Sequence, residues 1–201
     1  MKVLLVRHGE TKSNREKRFI GGATDEPISE QGKRELEGRR YPSPEHVFSS
    51  PMCRCLQTAN VIFGTETPEI IEGFRECDFG IIEGKTHEEL AGYARYDAFV
   101  ESGGGLPFPE GESIEGFCAR SQKAFEDVVN ECIDKRYDFI ACTVHGGTIM
   151  GILSWMFPET EMYRWNVKNG EGYLIEIEEE AWNAGCRTGV VLRGIEEHIY
   201  T

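Results

Sequence analysis

Two short apolar runs in this 201-residue chain each end in a histidine followed by glycine, and that repetition constrains the fold more than any other feature. Residues 2–6 lead into Arg7-His8-Gly9, and residues 138–144 lead into His145-Gly146-Gly147. Runs this short and this rich in Val, Leu and Ile read as strands buried on both faces. Glycine then lets the chain turn sharply away. Open α/β sheets gather their ligands at the carboxyl ends of such strands. If the two lie side by side and parallel, both imidazoles reach one edge of the sheet.

The segments between them fit the same scheme. Residues 12–18 read as a short polar helix or turn, and Phe19-Ile20-Gly21-Gly22 as a loop whose backbone N–H groups can approach an oxyanion. Ser29 is placed to cap a helix running to about residue 40, where prolines end it. A brief strand over 46–49 precedes Ser50-Pro51, which opens a helix to about residue 63 with Arg54 in its first turn. A strand at 69–71, a polar loop over 72–85, a helix from Thr86 to about 96 and a flexible excursion over 103–111 follow. Ser113 begins a long amphipathic helix with Phe117, Ala124, Phe125, Val128 and Val129 at helical spacing. A helix over 148–155 should turn its N-terminus to the site, and 173–178 with 189–193 alternate as a terminal hairpin. Strands alternating with helices predict a three-layer α/β/α sandwich around a mainly parallel sheet, in one domain over 1–201.

Charge and cysteine usage narrow the partners. A net charge of −13 argues against nucleic acid and anionic membranes, so an anionic ligand needs a local cluster of arginines. No apolar run reaches the roughly 18 residues of a membrane helix. The first strand follows Met1 at once, which leaves no room for a signal peptide. Seven cysteines without a Cys-x-x-Cys pair or zinc-like histidine spacing suit reduced thiols in a cytoplasm. Oligomeric state is not legible.

Arg54 follows a third strand, so it should point to the same edge as Arg7, His8 and His145. That set suits a phosphoryl group. Guanidinium groups match phosphate oxygens with paired donors. A neutral imidazole is a good nucleophile near pH 7, and a second can donate a hydrogen bond to the transferring group. These groups supply positive charge themselves, so no metal or other cofactor is expected.

Beyond these residues the chain carries a series of landmarks. They are Arg7-His8-Gly9-Glu10-Thr11 with Asn14, then residues 22–29 (GATDEPIS), 49–59 (SSPMCRCLQTA) and 76–86 (ECDFGIIEGKT), then Pro109-Glu110-Gly111-Glu112-Ser113 and Val144-His145-Gly146-Gly147. In this order they resemble the histidine phosphatase superfamily, the phosphoglycerate-mutase-like fold. The resemblance implies that His8 is the nucleophile and becomes a phosphohistidine. Arg7, Arg54 and His145 would grip the phosphoryl oxygens, with Asn14, the Gly21 backbone and Gly146 as further binding positions. Glu76 would protonate the leaving alkoxide and then activate water, a role that requires a raised pKa; Asp78 and Glu83 are rivals for it.

Superfamily mutases carry a longer insertion after the acid loop than the 86–111 stretch here, and the run at 79–86 is closer to small bacterial phosphatases, alpha-ribazole phosphatases among them. The resemblance therefore implies a phosphomonoesterase acting on a small phosphorylated metabolite. The alternatives are a cofactor-dependent phosphoglycerate mutase and a non-catalytic phospho-ligand-binding module. Specificity would come from residues 74–85 and 93–108, where Tyr93, Arg95, Tyr96 and Phe108 could meet a leaving group. Cys53 and Cys55 read as packing residues, and His46, His87 and His198 as surface or strand-edge histidines.

Overall fold

Strand β1 (Lys2–Arg7) is buried without a break from Val3 to Val6, as a strand covered on both faces must be. In the computed structural model, which describes residues 1–103 and 105–195, it lies inside a six-stranded sheet. Gly104 of the triple-glycine run and His198 fall outside the described residues. The other strands are β2 (His46–Ser49), β3 (Glu69–Ile70), β4 (Phe139–Val144), β5 (Gly172–Glu176) and β6 (Val190–Ile195), in the order β3-β2-β4-β1-β5-β6. The four strands from β3 to β1 run parallel, while β5 and β6 add antiparallel pairings at the other edge.

Alternation along β1 sorts its side chains into two cores. Val3 and Leu5 pack with Phe125 and Val128 of helix α6 (Ile114–Lys135) and with Ile149 and Ile152 of α7 (Gly146–Met156). Leu4 and Val6 point the other way, onto Ala141 and onto Ile62 and Phe63 of α3 (Cys53–Phe63). Helices thus cover both faces, as the three-layer reading requires. Phe125 is fully buried, and truncating it to alanine would cost about 3–5 kcal/mol.

Elsewhere the boundaries shift for physical reasons. Helix α1 is the short Lys12–Arg15, opened by a reciprocal cap between Thr11 and Asn14 and ended before Lys17, which takes φ 56°. Helix α2 (Glu30–Glu37) starts at the Ser29 cap but stops at Gly38, short of residue 40. The helix expected over 86–96 is two, α4 (His87–Leu90) and α5 (Ala94–Glu101), because Gly92 between them takes φ 82°, which breaks the helical path. The 72–85 loop contains two single 3₁₀ turns, at Glu72–Phe74 and Gly80–Ile82. A third, at Met162–Trp165, was not anticipated. Strands β5 and β6 do pair, but a short helix α8 (Glu179–Asn183) stands between them and buries Trp182 against Phe125 at 6.2 Å. No helix among the described residues is long and apolar enough to cross a membrane.

Candidate active site

The site begins with strand register. Arg7 of β1 stands opposite Val144 of β4, so the next residue of each strand is a histidine. The His8 backbone N–H donates to the Val144 carbonyl at 2.9 Å, extending the ladder one step past the strand. Both imidazoles emerge together, centroids 5.3 Å apart with planes at 64°. His8 Nδ1 lies 2.8 Å from its neighbour Gly9 O, and a carbonyl only accepts, so Nδ1 carries the proton and Nε2 keeps its lone pair. His145 is held differently. Its Nε2 sits 2.7 Å from Ser50 Oγ, and its Nδ1 faces Glu76 Oε2 at 3.9 Å. Burial holds both histidines well below the usual imidazole range, with the charges of Arg54 and Arg7 pushing the same way.

The two guanidinium groups come from different elements. Arg7 ends β1 and donates Nη1 to the Val167 carbonyl at 2.6 Å. Arg54, fully buried in the first turn of α3, donates Nη1 to Thr24 O at 2.7 Å and Nη2 to Gly21 O at 3.1 Å. Asp25 caps the same helix, accepting the Cys53 N–H at 2.8 Å, so the 21–25 loop and the start of α3 brace each other. In both arginines the Nε–H is buried and finds no acceptor among the protein's own groups. An unmatched buried cationic donor is costly, and an anion satisfies it. Gly21 turns its carbonyl to Arg54, and the cavity wall beside it is Ile20.

Of the three rival acids in the loop after β3, Glu76, Asp78 and Glu83, one reaches His145. Glu76 is 7% exposed, and burial raises its pKa against the opposing pull of the Cys77 N–H and both arginines. Glu83 is occupied elsewhere: it accepts from the Ala23 and Phe79 N–H groups at 3.1 and 3.2 Å and from the Thr24 hydroxyl at 2.5 Å. Asp78 accepts the Gly80 N–H at 2.8 Å. Gly147, in the first turn of α7, lets the helix approach the acid: a Cβ there would lie 2.7 Å from Glu76 Oε1 and 3.1 Å from the Phe117 ring. Helix α7 begins two residues earlier than expected, with His145 itself at the cap position.

Asn14 lines the cavity, its Oδ1 accepting from the Thr11 N–H at 3.2 Å and from Asn169 Nδ2 at 3.0 Å, which leaves its Nδ2 as a donor. Asn169 also donates to His8 O at 3.0 Å. Sequence reasoning missed Asn169 and Ser50. The available signals were an asparagine before Gly170, whose φ of 73° marks a turn, and a serine at the end of a third strand. Cys55, read as a packing residue, lies 3.5 Å from His145 Nε2.

Above these groups opens a cavity of about 380 Å³. Arg7, His8, Asn14, Glu76, Gly146 and Gly147 contribute to its floor, whereas Arg54 and His145 lie fully buried behind it. Of the residues expected to meet a leaving group, Phe108 lines it. Tyr96 is instead buried in a satellite core and bonded to His87 at 2.9 Å, and Arg95 pairs with Glu110 at 2.7 Å outside the cavity. His46 pairs with Glu69 at the strand edge, 2.9 Å away. Among the described residues no three His, Cys, Asp or Glu side chains are grouped to hold a metal ion.

Known proteins carry related folds and sequences. Fructose-2,6-bisphosphatase TIGAR of Xenopus tropicalis is 36% identical over 135 residues, which cover 61% of this chain and 47% of that protein, so the chain matches about half of that relative's length. Phosphoglycerate mutase of Thermus thermophilus is 26% identical in sequence, with a TM-score of 0.69 over 98% of this chain and 99% of that one. Alpha-ribazole phosphatase of Shigella flexneri shares the fold at a TM-score of 0.82 over 100% and 99% of the two chains, although only 20% of residues agree. The sequence profile of the histidine phosphatase superfamily, branch 1, matches residues 3–186, from β1 through both histidine strands to beyond α8, and the chain belongs to that family.

Proposed function

We propose that this chain is a metal-independent phosphomonoesterase that hydrolyses a small phosphorylated metabolite through a phosphohistidine on His8. The observation that carries it is the pairing of a nucleophile-ready imidazole with two buried arginines whose Nε–H groups lack a protein acceptor. In this reading His8 Nε2 attacks phosphorus while Arg7, Arg54, His145 and Asn14 hold the non-bridging oxygens. The P–O bond to the alcohol breaks, its electron pair leaves with oxygen, and protonated Glu76 supplies the proton. Glu76, now a carboxylate, takes a proton from water as the water oxygen attacks phosphorus. The P–N bond breaks, the electron pair returns to Nε2, and phosphate departs with the site restored.

Ser50 has a positioning role here. If its hydroxyl donates to His145 Nε2, the ring must carry its proton on Nδ1, the nitrogen turned toward Glu76. That tautomer presents a donor to the phosphoryl group. Gly146 and the turn of α7 behind it add helix N-terminal dipole at the same point. Gly21, proposed from its motif as a backbone donor, acts in this reading through Arg54 instead. The seven free thiols support a reducing, cytoplasmic setting, and the profile match supports treating the chain as one domain.

Likeness over nearly the whole chain to a phosphoglycerate mutase favours a second reading, in which the phosphoryl group returns to a sugar acid. Brief exposure to labelled phosphomonoester, followed by acid-labile label on His8, tests the shared intermediate; its absence, with no release of phosphate, would refute both. Product analysis then separates water from sugar acid as the acceptor.

A further inference from the structure

The cavity's rim and its charges carry information about the alcohol half of the substrate. Five of the groups that line it above the floor are Phe19, Phe79, Phe108, Phe117 and Met150. The rings are braced rather than scattered: Phe79 lies 4.7 Å from Phe108 and 6.1 Å from Phe19, and Phe108 lies 4.4 Å from Phe99. Three of them, Phe19, Phe79 and Phe108, are half-buried and rest on the satellite core of Ile82, Leu90 and Tyr96. One side of each ring is therefore committed to packing. Tyr163, at the mouth, is 73% exposed.

The cations are the second observation. Among the described residues that line the cavity, the positive charges are Arg7 and Arg18. Arg7 belongs to the phosphoryl floor. Arg18 is compensated on both sides, its Nη1 2.7 Å from Glu89 Oε2 and its Nε 3.0 Å from Glu16 Oε2, and Nη1 also donates to Gly84 O at 2.7 Å. A second phosphate or a carboxylate on the substrate would have to compete for Arg18 with Glu16 and Glu89 inside a chain of net charge −13. It would also press against phenyl rings that cannot hydrogen-bond it.

We infer that the substrate is a phosphomonoester carrying one anionic group, whose alcohol half is uncharged and presents a ring or a comparably broad apolar face to Phe79, Phe108 and Phe117. This rests on the phosphatase reading above and selects within it. It departs from the activities that name the bisphosphatase and mutase relatives, since a sugar bisphosphate and a phosphoglycerate each carry a second anion.

Aryl phosphates are poor probes, because a phenolic leaving group accelerates cleavage whatever the pocket does. Two alkyl esters with similar leaving alcohols are compared instead, 2-phenylethyl phosphate and ethyl phosphate, beside phosphoglycerate and a sugar bisphosphate. Burial of the extra ring should raise kcat/KM for the phenylethyl ester by about 30-fold over the ethyl ester. Both doubly anionic compounds should fall below the ethyl ester. The ratio of phenylethyl to ethyl should drop by about ten-fold in Phe108→Ala, which removes one wall of the rim. Equal or faster turnover of ethyl ester, phosphoglycerate or bisphosphate overturns the inference while leaving the phosphatase reading intact. Binding of two phosphonates that cannot be cleaved, 3-phenylpropylphosphonate and propylphosphonate, is measured by calorimetry in parallel. If no ester is hydrolysed, a matching preference for the phenyl compound upholds the pocket's selectivity and refutes the hydrolysis; equal affinities refute the selectivity as well.

Discussion

The floor and the rim of this cavity are built in opposite ways. The floor, with the layer just behind it, is anchored on strand ends: β1, β4 and the turn after β2 deliver His8, His145 and Ser50, and the ladder between the strands fixes their spacing before any side chain acts. Its polar groups are 0–3% exposed for both histidines and Arg54, and most have a named protein partner. The outer rim comes from irregular chain, with Phe19, Phe79 and Phe108 on loops and short turns held by ring contacts, while α6 and α7 lend Phe117 and Met150. The difference teaches a division of labour. The sheet sets where phosphorus sits, and the loops set what hangs from it, so the rim can change without disturbing the chemistry.

The sharpest way to break that division is at the nucleophile. His8→Ala should lower kcat by at least about 10,000-fold on every ester and abolish label trapping, with thermal stability held near wild type. Residual activity within about ten-fold of wild type would disprove the assignment of the floor. Glu76→Gln comes next: kcat/KM, which reads the phosphorylation step before water attacks, should fall about 1,000-fold on alkyl phosphates but only about ten-fold on p-nitrophenyl phosphate, whose leaving group needs no proton. A uniform loss on both would remove the acid role.

The pH profile sharpens the same contrast. The reactive form has His8 neutral and Glu76 protonated. His8 is depressed below its ordinary 6.5, chiefly by burial, so activity should persist as pH falls below that value. Glu76 is raised above its ordinary 4.5, again chiefly by burial, so the alkaline decline should begin above that value and vanish in Glu76→Gln. An unchanged alkaline limb in the variant would assign it to another group. Ser50→Ala should cost about 10–100-fold in kcat with little change in KM, and nitrogen NMR should show His145 losing its preference for the Nδ1–H tautomer. An intact tautomer would reduce Ser50 to packing. At the rim, Tyr163→Ala should shift KM by only about two-fold and leave kcat alone, as expected of a largely exposed side chain.

Legibility in the sequence follows the same boundary. The histidine-bearing strands stand out because a buried run that halts at His-Gly offers little to packing and much to a ligand, and one register relation then brings the rings together. Arg54 was legible through its helix start. The acid was not separable by residue type, since Glu76, Asp78 and Glu83 share one polar loop without periodicity. What distinguishes them is which donors each meets. Glu83 is claimed by Ala23 and Thr24, which stand 60 and 59 positions upstream of it and belong to a different loop. The rim was least legible. Phe19, Phe79 and Phe108 sit on separate loops and Phe117 on a helix, with no repeat to group them, and of the proposed contact residues only Phe108 lines the cavity.

The strand order has a consequence for how the molecule comes into being. β4 is slotted between β2 and β1, both made long before it, and Ser50 meets His145 across 95 positions of chain. A polypeptide emerging from the ribosome therefore holds one imidazole and both guanidinium groups but no second imidazole until that middle strand docks. Such distant pairing is slow to form. Recovery of turnover after dilution from denaturant should accordingly lag behind the return of helical circular dichroism.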